Sequence, residues 1–366
     1  MKPTLSVLTY VLRRLLIIPV TLLAVTIVLY SFFMSVPAEE RAALYMPPNQ
    51  PRIMSAEKLE NLTNRIIEEN GLNDPFLQQY GRWASGLLSG DWGYSPSFNA
   101  PVLDLLQRRT AVTLELAFYA LLTLIPLGII SGVVAGWRPG SRQDSSFRTA
   151  AFIATSIPPF ILGMFLLSIF YVGLGWFPPG RTGLIELTLR ASTSSFQTIT
   201  GFLTIDGLLN GRLDVTKDAL RHLALPVFTL GLAQWATLGR VTRVAVINEA
   251  SQSYVMAARA RGLLQRQIVW RHVFRNVLLP VLTSSSLSAA SLITGVFVVE
   301  VVFDYKGLSE LVTRSLRDTA PDAALAMGFA IYSVLLVLPI MLLLDLLKGL
   351  VDPRVRKADD DTEASP

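Results

Sequence analysis

The chain contains no cysteine among its 366 residues, two histidines (His222 and His272) and only 16% charged residues. The first absence removes disulfide frameworks, thiolate metal sites and cysteine nucleophiles together. Two histidines do not make a multi-histidine metal centre, so no metal or cofactor is expected on this chain. Soluble proteins carry about 25% charged residues. At 16%, with 51% apolar residues and a mean hydropathy of +0.47, this chain is suited to lipid and not to the surface of a soluble enzyme. A G-x-x-x-x-G-K-[ST] loop is absent as well, so ATP is not bound and hydrolysed by that route.

Ionisable residues inside apolar runs, the usual equipment of ion-coupled carriers, are also scarce. Glu115 stands at the edge of one run, where it could face a pore or the interface. Asp345 stands near the end of another, three residues before Lys348, which reads as a pair at the lipid boundary or a proton relay. Neither makes an autonomous pump. The net charge of +5 would suit nucleic acid, but in a membrane chain it reflects loops held on the cytosolic side, and no nucleic-acid partner is expected.

What is present is a series of uncharged runs long enough to cross about 30 Å of hydrocarbon as helix. Six qualify: Leu15 to Met34, Leu116 to Trp137, Thr149 to Phe177, Leu223 to Gly239, Asn276 to Val299 and Ala323 to Leu344. Ala191 to Ile205, short and rich in Ser and Thr, reads as loop or interfacial structure. The first run follows Lys2, Arg13 and Arg14 and is too long for a secretory h-region, so it reads as an uncleaved anchor. Basic and acidic residues number three and one over 138–148, and seven and one over 240–275. They number seven and nine over 39–109, five and four over 181–221, and three and five over 300–322. The Lys/Arg excess thus alternates, and predicts an all-α membrane protein with six spans and both termini cytosolic.

The expected organisation is an anchor helix over 1–36, a small extracytoplasmic subdomain over 37–110, a transmembrane core over 111–350 and a cytosolic tail over 351–366. The tail is basic at Arg354, Arg356 and Lys357, acidic at Asp359 to Asp361, and compositionally disordered. In the subdomain, Leu59, Leu62, Ile66 and Ile67 give Ala56 to Glu69 a helical period. Trp92, in the turn Gly90-Asp-Trp-Gly93, suits an interface anchor or a docking point for a partner. Prolines 126, 158, 159, 226, 280 and 339 fall inside runs. They serve as packing kinks, and the pair in Ser156-Ile-Pro-Pro-Phe160 also offers a break at which a pore helix could flex.

The most informative segment runs from Tyr254 to Pro280, in the cytosolic loop 240–275. Tyr254, Val255 and Met256 lead into Ala257, Ala258, Arg259, Ala260 and Arg261, then Gly262 and Leu263. Alanines at 257, 258 and 260 form helix with little bulk, Gly262 can end it, and the arginines give it a basic surface. Such a helix could seat in another protein's groove. From charge alone, a positive-inside loop that only fixes topology is the simpler reading.

At this point the residues resemble a family. Small residues, a glycine and a proline at the next span are similar to the coupling loop of type I ABC importer permeases. Ala258-Arg-Ala-Arg-Gly-Leu263, Arg271-His-Val-Phe-Arg-Asn276 and Leu279-Pro280 resemble the oligopeptide/dipeptide/nickel permease subfamily. Tyr10-Val-Leu-Arg-Arg-Leu-Leu16, Leu87-Leu-Ser-Gly-Asp-Trp-Gly93, Thr113-Leu-Glu-Leu-Ala117, Ser156 to Phe160, Gly175-Trp-Phe-Pro178 and Asp352-Pro-Arg-Val-Arg356 follow in the family's order. Departures are Met256 where the general pattern has glutamate, Val36-Pro-Ala-Glu39 after the first span, and an extended 185–218.

The resemblance implies a type I ABC permease fold: a half-channel that pairs in membrane lipid with a second homologous permease. Two separate ATPase subunits would carry ATP and magnesium, and an extracytoplasmic binding protein would deliver cargo, peptide before nickel chelates or oligosaccharides. The loop residues Tyr254, Met256, Ala257, Ala258, Arg259, Ala260, Arg261, Gly262 and Leu263 would then meet the ATPase. Reversing charge at Arg259 or Arg261 would weaken that docking. A secondary carrier working alone, and a non-transporting scaffold or receptor, are the competing readings.

Overall fold

The computed structural model describes residues 3–42, 45, 56–183, 196–317 and 322–351. It is predominantly helical. In chain order the helices are α1 (Pro3–Met34), α2 (Ala38–Ala42), α3 (Ala56–Glu69), α4 (Phe76–Ser89), α5 (Val102–Trp137), α6 (Arg142–Ser156) and α7 (Pro159–Leu166). They continue with α8 (Leu203–Leu209), α9 (Leu213–Ala250), α10 (Ser253–Ala260), α11 (Phe274–Val302), α12 (Leu308–Arg317) and α13 (Ala323–Val351), with π-helical turns at Leu167–Gly173 after α7 and at Ile268–Val273 before α11, the latter preceded by a helical turn at Gln265–Gln267. Among the described residues the strands are a two-residue antiparallel pair, Tyr94–Ser95 with Ala100–Pro101. The motif Asp352 to Arg356, the charged tail, residues 184–195 of the extended loop and the side chains of Asp345 and Lys348 lie outside the described set.

The chain divides into two compact units. One comprises residues 1–109 with 310–339, the other residues 110–309 with 340–366. In the first, α3 covers the span that its apolar period predicts, and Ile66 and Ile67 bury against Leu72 and Ala42. The neighbouring α4 ends at Gly90, which takes φ +89° as only glycine does freely. Asp91 N–H closes that end on Gly86 O at 2.9 Å. Trp92 then folds back. Its Nε1–H donates to Leu87 O at 3.2 Å and its ring meets Tyr332 edge-on at 6.0 Å. Asp322 caps α13 by accepting from Leu325 N at 3.0 Å and from the Ser95 hydroxyl at 2.5 Å.

In the second unit α9 is the hub, packing on α6, α7, α8 and α11. Its contact with α5 depends on three glycines one turn apart. A Cβ on Gly132 would lie 2.6 Å from Gly239 O and from Thr242 Cβ, one on Gly136 2.6 Å from Arg243 O, and one on Gly128 3.1 Å from Leu238. Small residues at this spacing let two helix backbones approach closely where no hydrophobic force drives them together. Leu116, Leu124, Leu223, Leu230, Leu292, Val299 and Phe303 form the core above this contact.

The third apolar run is not one straight helix. It breaks between α6 and α7 with a bend of 99°. Pro158 and Pro159 lack the N–H groups that would continue the ladder, and a residue before proline is pushed to extended backbone. Ile157 accordingly sits at φ −101°, ψ 119°. Among the described residues, α5 is the single helix long and apolar enough by itself to cross a membrane, with the α6–α7 pair a second if taken together. Ile18–Met34 and Ala323–Pro339 are shorter apolar helices.

Candidate functional site

The loop between α9 and α11 is an ordered device in which α10 is a two-turn helix. Its Val255 and Ala258, three residues apart and therefore on one face, bury against Val133, Leu238, Val246, Ile268, Val273 and Val277. A three-residue network holds its start. Tyr254 OH donates to Glu249 Oε1 at 2.7 Å, and Asn276 Nδ2 donates to the same oxygen at 2.8 Å and reaches the tyrosine oxygen at 3.1 Å. Burial and then the Glu249 carboxylate push the Tyr254 hydroxyl up to about 12, so it is a proton donor at every working pH. Glu249 closes α9 and Asn276 opens α11, so α10 is tied to both helices at once.

The end of α10 explains the glycine. Gly262 N–H bonds to Arg259 O at 2.9 Å and Leu263 N–H to Ala258 O at 3.4 Å, the paired closure of a Schellman motif. Gly262 takes φ +74° to make it. A Cβ there would meet nothing within 4 Å. The glycine is therefore required by backbone conformation, and the space in front of it is open.

The nine loop residues singled out by the sequence do not act alike. Tyr254 is half-buried in its network and Ala258 is buried. Met256 (59% exposed), Ala257, Ala260, Arg261, Gly262 and Leu263 stand outward with Leu264. Arg259 turns sideways, its guanidinium 5.2 Å from the Trp137 ring centroid at the end of α5, a cation–π contact. Glu249, Val255 and Trp137 complete the site and carried no local signal. Glu249 is 27 residues from its Asn276 partner, and only folding joins them.

Neighbouring contacts fix the same end of the unit. Asp144, buried in the first turn of α6, accepts from Gly140 N at 2.9 Å and from Arg243 Nη2 at 2.9 Å, while Ser141 caps the helix. The Arg243 guanidinium holds the Asp144 carboxyl down to about 2. Arg138 at the end of α5 donates to Gln265 at 3.0 Å. Further toward the start of α5, Glu115 is wholly buried and faces neither pore nor interface. It accepts from Thr204 N at 2.9 Å and Thr204 Oγ1 at 2.7 Å, capping α8 from a distance, and pairs with Arg181 at 2.8 Å. Glu300, on α11, accepts from the Thr113 hydroxyl at 2.6 Å and caps α12 through Ser309 N at 2.9 Å.

The sequence profile described as "Binding-protein-dependent transport system inner membrane component" matches residues 125–357. The chain belongs to that family. Among its relatives, the oligopeptide transport system permease protein AppB of Bacillus subtilis (strain 168) is 32% identical, over 94% of this chain and 98% of AppB. The probable D,D-dipeptide transport system permease protein DdpB of Escherichia coli (strain K12) is 34% identical over 85% and 89%. The dipeptide permease DppB of the same strain is 29% identical over 95% and 99%. A solved chain of the inward-facing MetNI methionine ABC transporter is similar at a TM-score of 0.46 and 16% identity, over 69% of this chain and 96% of that one. As a member of the family the chain is a membrane component of a transport system and not an enzyme.

Proposed function

We propose that the chain is the permease subunit of an ATP-driven ABC importer for oligopeptides or dipeptides, and that α10 is the lever through which separate ATPase subunits move it. The naming of its relatives as peptide permeases supports the cargo class. The observation that carries the lever is the double tether of α10. A loop that only set topology would need no Tyr254–Glu249–Asn276 network and no buried Val255–Ala258 face. On this reading the chain crosses the inner membrane six times with both termini cytosolic. It pairs with a second homologous permease, rests on two ATPase subunits that hold ATP and magnesium, and receives cargo from an extracytoplasmic binding protein. Met256, Ala257, Ala260, Arg261, Gly262 and Leu263 meet the ATPase, while Arg259 braces the helix on Trp137. An ion-driven carrier is disfavoured because Glu115 and Glu300 are already engaged as helix caps.

The absence of cysteine makes the test direct. A single Ala257→Cys should cross-link to an ATPase subunit in the assembled complex, and a buried Val255→Cys should not. Equal labelling of both, or labelling of Ala257→Cys from the outer surface of intact cells, would reject the assignment.

A further inference from the structure

From the geometry of α4 we infer that this helix is embedded in the membrane interface, lying across α1 with one stripe of its surface in lipid. Taken at 100° per residue, its residues other than Gly86 sort into three arcs. Phe76, Tyr80, Trp83 and Leu87 form the first. It faces α1, where the Tyr30 ring lies 5.9, 5.8 and 4.8 Å from the rings of Phe76, Tyr80 and Trp83. One α1 residue thus touches rings from two turns of α4. The second arc, Gln78, Gln79, Arg82, Ser85 and Ser89, is polar, and Gln79 bonds the buried Arg41 at 2.8 Å.

The third arc is apolar and bare. Leu77 and Leu88, eleven residues apart and so within about 20° of each other on the helix, are 79% and 91% exposed, with Gly81 and Ala84 between them. What covers this stripe follows from its depth. The Tyr80 hydroxyl lies 2.9 Å from Thr26 Oγ1, eight residues before the end of α1 and therefore about 12 Å down that helix. At that level of α1, Leu23, Ile27 and Val28 are exposed as well, and the chain's family is an inner membrane component. A protein segment with an apolar arc beside a polar one at hydrocarbon depth is an interfacial helix. The occupant is lipid. On the topology proposed above it is the outer leaflet, though depth from the nearer headgroups does not depend on that choice.

The test uses the complete transporter in proteoliposomes, with its partner subunits freed of cysteine. Nitroxide labels at Leu77→Cys and at Leu88→Cys are compared with Glu60→Cys on the exposed surface of α3. Labels at 77 and 88 should collide readily with oxygen, be shielded from a water-soluble nickel chelate, and report depths within a few Å of each other. Gly81→Cys, on the same stripe, can replace either. Three results would each overturn the inference: access to the nickel chelate like that at position 60; shielding from both reagents, which would mean that the binding protein or the second permease covers the stripe; or depths separated by about 16 Å, the length of an upright α4 between these residues.

Discussion

Gly262 offers a test in which strain and bulk separate. An L-residue in the left-handed region costs about 1–2 kcal/mol, less for asparagine. Because a Cβ at 262 would meet nothing within 4 Å, no steric cost inside the chain adds to this. Gly262→Ala and Gly262→Trp should therefore destabilise the isolated chain about equally, by about 1 kcal/mol, and Gly262→Asn by less. In the assembled complex they should diverge. If the open space is where an ATPase docks, Trp fills it, so uptake should fall steeply while ATP hydrolysis becomes independent of cargo. Ala should retain most uptake, and Asn nearly all of it. Thermal stability in detergent, and uptake with ATP hydrolysis in proteoliposomes at matched membrane levels, read the two effects. Equal uptake by the Ala and Trp variants would refute the reasoning, since bulk would then meet no partner. Asn as damaging as Trp would refute it too.

Two further predictions concern the body that holds the lever. Gly132→Ala puts a methyl 2.6 Å from Gly239 O and Thr242 Cβ, and should cost about 1–3 kcal/mol by forcing α5 from α9. Gly81→Ala, with open space around it, should be neutral or stabilising; melting temperatures of the two variants check this. Asp144, with its folded pKa lowered from 3.8 to about 2, contributes stability that is complete above its ordinary pKa and lost as pH falls through about 2. Asp144→Asn should therefore lower the melting temperature at pH 7 and lose that deficit as the medium is acidified. A deficit unchanged by acid would separate the residue's role from its charge.

How far these features could be read in advance depended on how local they are. The α3 helix was legible because its apolar residues recur at helical spacing within fourteen positions. The Schellman end of α10 was legible because a glycine after small helix formers has few other uses. Family motifs placed the loop within a nearly full-length resemblance. The bend in the third run was only half visible: hydropathy joins Thr149 to Phe177 without a break, and prolines 158 and 159 mark a place but no angle. The α4 helix has no such clear period, because Gly81 and Gly86 interrupt its pattern and its apolar residues fall on two different arcs. Glu249 could not be found at all, since a lone carboxylate in a basic loop reads as solvated until Asn276 arrives from 27 residues away. The glycines at 128, 132 and 136 were similarly silent, because spacing alone does not say which face another helix occupies.

The placement of these contacts bears on how a push would travel. A displacement applied to α10 would dissipate in a loop joined only by its ends. Here it is passed to α9 through Glu249, to α11 through Asn276, and to both through the apolar seat of Val255 and Ala258. From α9 it reaches α6 through the Asp144–Arg243 pair and α5 through the glycine contact, where the two helices approach too closely for a side chain on α5. At the far ends, Glu115 holds α5 to α8 and Glu300 bonds Thr113 of α5 to α11. Each contact is worth only about 1–3 kcal/mol, but packed cores resist continuous deformation, so the helices bracketed in this way move together. The 99° break before α7 is where the chain has no such bracket along its own axis, since two prolines remove the bonds that would stiffen it. On the proposed role, rocking would therefore be rigid within α5, α9 and α11, and its bending would be absorbed at Ile157–Pro158.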